Sequence, residues 1–193
     1  MDNILSNNSY FNKNTNLIED IIELFGHNSQ SDLLVDKFVK VFYSFFPLYD
    51  ISKSEYKNLY MSAKSVLEFL KQRHPEELKI RIYNPTEETH GWSSPNTIID
   101  IVFDDIPFIV DSITQELEKS NIKIYRLLHP ILKIERHDSG KLLNILNDQK
   151  NLNTASESVL QIHIAHVNSP EDLQKIEKIL LNLMEKVKLA VRD

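Results

Sequence analysis

The stretch from Thr97 to Ile134, TIIDIVFDDIPFIVDSITQELEKSNIKIYRLLHPILKI, constrains the fold more than any other part of the chain. It reads as strand, acidic turn, helix and strand. Ile98–Phe103 is apolar with only partial alternation, as a largely buried strand would be. Asp104 and Asp105 offer side-chain acceptors to the free amides of a helix start, and Pro107 sits where a first helical position tolerates it. Ile106, Val110, Ile113 and Leu117 recur at three and four residues, which predicts one apolar stripe on a short helix. Asn121 predicts a left-handed stop before a strand over 122–134.

A second, similar unit follows. Residues 158–167, SVLQIHIAHV, alternate Leu160, Ile162 and Ile164 with Gln161, His163 and Ala165. Ser169-Pro170-Glu171-Asp172 then reads as an N-cap, a proline at the first position and two acids in the first turn. Leu173, Ile176, Leu180, Leu183, Val187 and Val191 supply the stripe of the last helix. Together the two units predict a βαββαβ, ferredoxin-like antiparallel sheet with two packed helices. No strand-like segment follows the last helix up to Asp193, so the usual last strand is missing. Leu78, Ile80 and Ile82 alternate with Lys79 and Arg81, which predicts a strand with one solvated face. This strand is expected to fill the vacant place, antiparallel to the strand at 97–103. Pro130 interrupts the strand at 122–134, and proline belongs on an edge or at a bulge. Residues 141–146 predict a short returning strand, and 147–156 a polar loop.

Three amphipathic helices precede this unit. Leu17, Ile18, Ile21, Ile22 and Phe25 form one face, stopped by Gly26. Leu34, Phe38, Val41, Phe42 and Phe45 form a second, ending at Pro47. Ser52-Lys53-Ser54-Glu55 is a capping box for a third helix carrying Tyr56, Leu59, Tyr60, Ala63, Val66, Leu67 and Leu70. The aromatic stripe Phe38, Phe42, Phe45 and Phe46 has the spacing of core rather than of a ligand surface. The expected organisation is α+β: a disordered arm over 1–13, a helical subdomain over 14–74, and an α+β domain over 77–193.

Composition narrows the function classes. The net charge of −6 comes without a lysine or arginine cluster, which disfavours nucleic acid or an acidic membrane as partner. There are no cysteines, so disulfides and thiolate chemistry are excluded and a cytoplasmic location is expected. The N-terminus lacks the basic and apolar regions of a signal peptide, and no apolar run is long enough for a membrane span. Only three glycines occur, and none forms the cluster that a dinucleotide fingerprint or phosphate loop requires. His163 and His166 would point to opposite faces of a strand, so they do not suggest a metal site. His90 and Trp92, beside Glu87 and Glu88, read as a loop fixed by a buried tryptophan rather than an acid–base pair. Asp104, Asp105 and Asp111 cluster at the start of a helix, where capping outweighs magnesium binding or proton donation. The residues themselves offer no convincing catalytic centre.

Five fragments carry a resemblance: FYSFFP at 42–47, RIYNP at 81–85, EETHGWSSPNT at 87–97, IVFDDIPFIVDSITQEL at 101–117 and LLHPILKIERHDSG at 127–140. Over roughly residues 40–192 they resemble the N-terminal region of the large bacterial NAD-specific glutamate dehydrogenases. The resemblance implies an ACT-like module, part of a much longer polypeptide whose catalytic and NAD-binding parts lie downstream. The parent reaction would be oxidative deamination of L-glutamate, with NAD and water, to 2-oxoglutarate, ammonium and NADH. No catalytic, cofactor or metal residue of the family maps onto this chain. Regulation, homo-oligomer assembly and an amino-acid effector are the implied roles and partners. ACT modules that bind amino acids carry a glycine after the proline of the first strand-to-helix turn, whereas here Phe108 follows Pro107 and is expected to fill that space. An effector or interface at this turn would involve Asp104, Asp105, Ile106, Pro107 and Phe108. Two other readings stand beside this one. A free-standing ACT-like binding or dimerisation protein would be made as this short chain. An enzyme in its own right would lose turnover on Asp105→Asn or His90→Ala.

Overall fold

The computed structural model describes residues 15–25, 30–44, 51–146 and 155–192. The expected arm at 1–13, the stops at Gly26 and Pro47, and most of the polar loop at 147–156 lie outside these residues. Helix α1 covers 15–24. It is followed by α2 (Gln30–Phe42), a 3-10 turn (Lys53–Glu55), α3 (Tyr56–Leu70), β1 (Lys79–Tyr83) and the short α4 (Glu87–His90). Then come β2 (Thr97–Asp104), α5 (Ile109–Lys119), β3 (Ile124–Leu128), β4 (Ile131–Arg136), β5 (Leu142–Leu146), β6 (Ala155–Ile164) and α6 (Pro170–Arg192).

The sheet runs β1-β2-β6-β4-β5, with β3 also paired to β6, and every pairing is antiparallel. Strand β1 occupies the place beside β2 that a last strand would fill, with Arg81 opposite Asp100 and Tyr83 opposite Ile98. The fold is therefore the expected antiparallel ACT-like α+β arrangement, completed from its N-terminal side. Strands β3 and β4 lie end to end along β6, split at His129-Pro130. Proline contributes no ladder donor, yet its carbonyl still accepts from the Val159 amide at 3.0 Å. The expected edge position holds only for β3, because β5 pairs with the outer side of β4.

Period-two alternation sends the residues of each strand to two opposite layers. Ile99, Ile101 and Phe103 of β2, with Leu160, Ile162 and Ile164 of β6, meet Ile113 and Leu117 of α5 and Ile176, Leu180 and Met184 of α6. On the other face, Val102, Leu128, Leu132, Ile134 and Val159 share one apolar cluster with α1, α2 and α3. Phe38 and Phe42 are buried there and stack at 5.1 Å between ring centroids, so this part of the aromatic stripe is core.

Several local signals act as their chemistry dictates. Asn121 adopts φ 57°. The amides of Asn121 and Ile122 return to Glu118 O and Leu117 O at 2.9 Å each, a Schellman motif that ends α5. Ser169 caps α6 ahead of Pro170, its hydroxyl accepting from the Asp172 amide at 3.3 Å. The Glu55 carboxylate accepts from the Ser52 amide at 3.0 Å and opens the 3-10 turn before α3.

Two expectations fail. The buried stripe of α5 is Ile109, Ile113 and Leu117, because the helix starts at Ile109 and Ile106 stays outside it. The polar face of β1 is only partly solvated. Arg81 lies between the rings of Phe69 and Tyr83, at 4.5 and 4.6 Å from their centroids, under the helical layer.

Candidate functional site

The turn between β2 and α5 holds all five residues singled out by the resemblance. Asp104 and Asp105 do not cap α5, whose N-cap is Phe108 with no side-chain hydrogen bond. A stronger electrostatic partner has claimed Asp104. Its carboxylate accepts from Arg73 Nη2 at 2.6 Å and from the Glu76 amide at 2.9 Å. Asp105 turns the other way and accepts from Ser158 Oγ at 2.9 Å. Ser158 in turn meets His129 Nε2 at 3.2 Å. Burial lowers the His129 pKa, against the pull of Asp105. These three residues are not a nucleophilic triad. Ser158 is fully buried and stands between the acid and the imidazole, donating its proton to Asp105 rather than to His129.

Phe108 does not fill a space. Its backbone sits at φ 64°, a left-handed conformation that bulky residues avoid. Its ring is 78% exposed, the most exposed of the large apolar side chains among the described residues.

Behind this turn lies an ion cluster that no local pattern announces. Arg73, 1% exposed, donates from Nη1 to Glu157 Oε1 at 2.7 Å. Arg136 grips the same carboxylate with Nε at 2.7 Å and Nη2 at 2.8 Å. Further donors of the two guanidiniums satisfy backbone carbonyls at the end of α3, in the segment between α3 and β1, and in the β4–β5 turn. Arg136 Nη2 reaches Leu70 O at 2.9 Å and Nη1 reaches Gly140 O at 2.9 Å. Arg73 Nε reaches Glu77 O at 2.8 Å. The cluster therefore ties α3, β2, β4 and β6 to one point, with Asp104 as its outer carboxylate.

A second buried network occupies the α3-facing side of β1, β2 and β6. Asp100, fully buried, accepts from Arg81 Nε at 2.8 Å, Tyr83 OH at 3.0 Å and Gln161 Nε2 at 2.9 Å. Burial and the Asp100 carboxylate push the Tyr83 phenol up, so it stays a neutral donor. Ser62 Oγ and His163 Nε2 both meet Gln161 Oε1 at 3.3 Å. Burial, and then the charge of Arg126, lowers the His163 pKa to about 4, so the ring is neutral at pH 7. His166 lies beyond the end of β6 and is exposed, so the two histidines never share a strand.

The HGWSSP segment packs beside this network. Trp92 is buried and meets the Tyr83 ring edge-on at 6.3 Å. His90 stacks on Tyr83 at 4.8 Å, and Glu87 pairs with Lys57 at 2.9 Å. His90 and Glu87 are thus engaged separately and form no acid–base pair. Among the described residues, no group of three or more His, Cys, Asp or Glu is placed to hold a metal ion.

The model of the family described as "Glutamate dehydrogenase, ACT1 domain" matches residues 38–180. Two curated relatives carry the name NAD-specific glutamate dehydrogenase. The one from Halomonas elongata is 33% identical over 160 residues, which cover 82% of this chain and 10% of that protein. The one from Pseudomonas aeruginosa is 28% identical over the same share of each chain. The chain thus spans about a tenth of the length of the curated relatives it matches. No solved structure matches. The β2–α5 turn does not fit NAD, which these relatives are named for. It presents Asp104, Asp105 and Phe108 where a pyrophosphate would need bare backbone amides, and two carboxylates would repel it. No helix among the described residues is long and apolar enough to cross a membrane. Matched over most of its length and folded as an ACT-like sheet, the chain belongs to the glutamate dehydrogenase ACT1-domain family.

Proposed function

We propose that this chain is a non-catalytic regulatory and assembly region of an NAD-specific glutamate dehydrogenase. The parent enzyme would convert L-glutamate, NAD and water to 2-oxoglutarate, ammonium and NADH in the cytoplasm. The remainder of that polypeptide would be its first partner and a second copy its next. Residues 14–74 would act as a helical cover for the ACT-like unit at 77–193.

The observation that carries this reading is the match of the ACT1-domain model to residues 38–180. The turn at Asp104–Phe108 is the contact point we assign, and Phe108 supports it through its exposure and positive φ. An effector amino acid at the same turn would be held by Asp105 and the backbone around Ile106 and Pro107.

Phe108→Asn in the full-length enzyme tests the assignment. Asn tolerates the left-handed conformation, so the fold is kept while the apolar ring is lost. The expected result is weaker subunit association, or a lost response to amino acids, with the catalytic rate of the assembled enzyme unchanged. Association and response equal to those of the parent would refute the assignment.

A further inference from the structure

A cavity of about 290 Å³ opens on the α3-facing side of the sheet, away from the Asp104–Phe108 turn. Its walls come from the start of α3 (Asn58, Ser62), the segment Trp92–Asn96, strand β3 (Tyr125, Arg126) and strand β6 (Gln161, His163). The volume equals that of roughly ten water molecules, at the small end of ligand sites.

Two features make this a built site. First, the pairing of β3 with β6 slips between Ile124 and Arg126. Neighbouring strand residues normally face opposite ways, but at this bulge Tyr125 and Arg126 both line the cavity. Second, the floor is pre-organised. Asp100 fixes the Gln161 amide through a bond of 2.9 Å, and Gln161 Oε1 meets Ser62 and His163.

The chemistry of the lining selects the ligand. Arg126 supplies the cation, and its charge acts on Tyr43, Glu55 and His163 around the cavity. Around it stand neutral donors, the amides of Asn58 and Asn96 and the hydroxyls of Ser93 and Ser94. We propose that this cavity binds a small organic carboxylate, its carboxyl group on Arg126, between the Trp92–Asn96 segment and β6. Glu55, on the rim, adds a place for an ammonium group. The site would explain the HGWSSP segment, which the ion cluster and the β2–α5 turn leave unused.

Trp92 is the only tryptophan, so its fluorescence reports on the cavity directly. The 193-residue chain is titrated with paired amino and 2-oxo acids, L-alanine with pyruvate and L-glutamate with 2-oxoglutarate, against chloride and phosphate controls. The expected result is a saturable change with at least one carboxylate and none with the controls. Arg126→Gln should weaken binding about tenfold or more, the loss of a charge-assisted pair, with Arg126→Lys between it and the parent. Lys175→Gln, which breaks only an exposed ion pair on α6, should leave binding unchanged. No saturable change with any acid would overturn the proposal. So would an equal response to chloride, or binding equal to the parent's in a folded Arg126→Gln.

Discussion

Replacing Glu157 by glutamine tests the ion cluster most sharply. The substitution keeps the shape of a side chain that is 3% exposed and removes one charge. Glu157 now accepts three charge-assisted hydrogen bonds, at 2.7 Å from Arg73, and at 2.7 and 2.8 Å from Arg136. Glutamine would turn an NH2 group toward one of those guanidiniums, opposing donor to donor. Arg73, almost fully buried, would be left with Asp104 alone, which is 40% exposed. Removing one partner of a buried pair costs about 3–5 kcal/mol. In a chain of this size that lowers the melting temperature by about 6–20 °C. Urea titration supplies the free energy and calorimetry the temperature. Hydrogen exchange should quicken at the amides of Arg73 and Leu142, which bond to Gly140 O at 3.0 Å and Lys71 O at 2.8 Å. A loss below about 1 kcal/mol, the range of exposed pairs, would refute a dry, cooperative cluster. An Arg73→Met, Glu157→Gln double-mutant cycle with no coupling would refute it equally.

Three further outcomes follow from the geometry. His163 has its pKa lowered from 6.5 to about 4 by burial and Arg126, so the folded state favours the neutral ring. Its contribution is complete above pH 6.5 and falls away by about 3 kcal/mol as pH drops toward 4. Stability measured across that window should lose this slope in His163→Gln, and an unchanged slope would count against it. Gly140→Ala should destabilise the chain by about 2 kcal/mol or more in denaturant titration. Its φ is +83°, and an added Cβ would stand 2.7 Å from Arg73 O. Phe108→Asn should leave the chain equally stable or raise its stability by about 0.5–1 kcal/mol, because strain is relieved and no buried area is lost. A clear drop in melting temperature would show that the exposed ring packs after all.

The secondary elements of the sheet were legible because each carries a local signal. The apolar runs of β2 and β6, the stop at Asn121, the Ser169-Pro170 start and the break at Pro130 all depend on residues within one turn of each other. Placing β1 beside β2 needed only a topological rule and a missing strand. The ion cluster was not legible, because Arg73 and Glu157 are 84 positions apart and neither lies in a periodic pattern. The same competition explains the misread start of α5. Acids ahead of a helix ordinarily cap it, but a guanidinium held dry nearby binds a carboxylate more strongly than free amides do. A signal did exist for the second network. Gln161 and His163 alternate on a strand that must be central, so their polar face had to be covered and paired. The bulge at Tyr125 left no trace in composition, and with it the cavity was invisible.

The most direct test of the central claim is the size of the native polypeptide that carries this sequence. An antibody raised against the chain should detect a protein many times larger than 22.5 kDa. That protein should co-purify with NAD-dependent glutamate dehydrogenase activity. A band at 22.5 kDa, with the dehydrogenase activity in other fractions, would contradict the account.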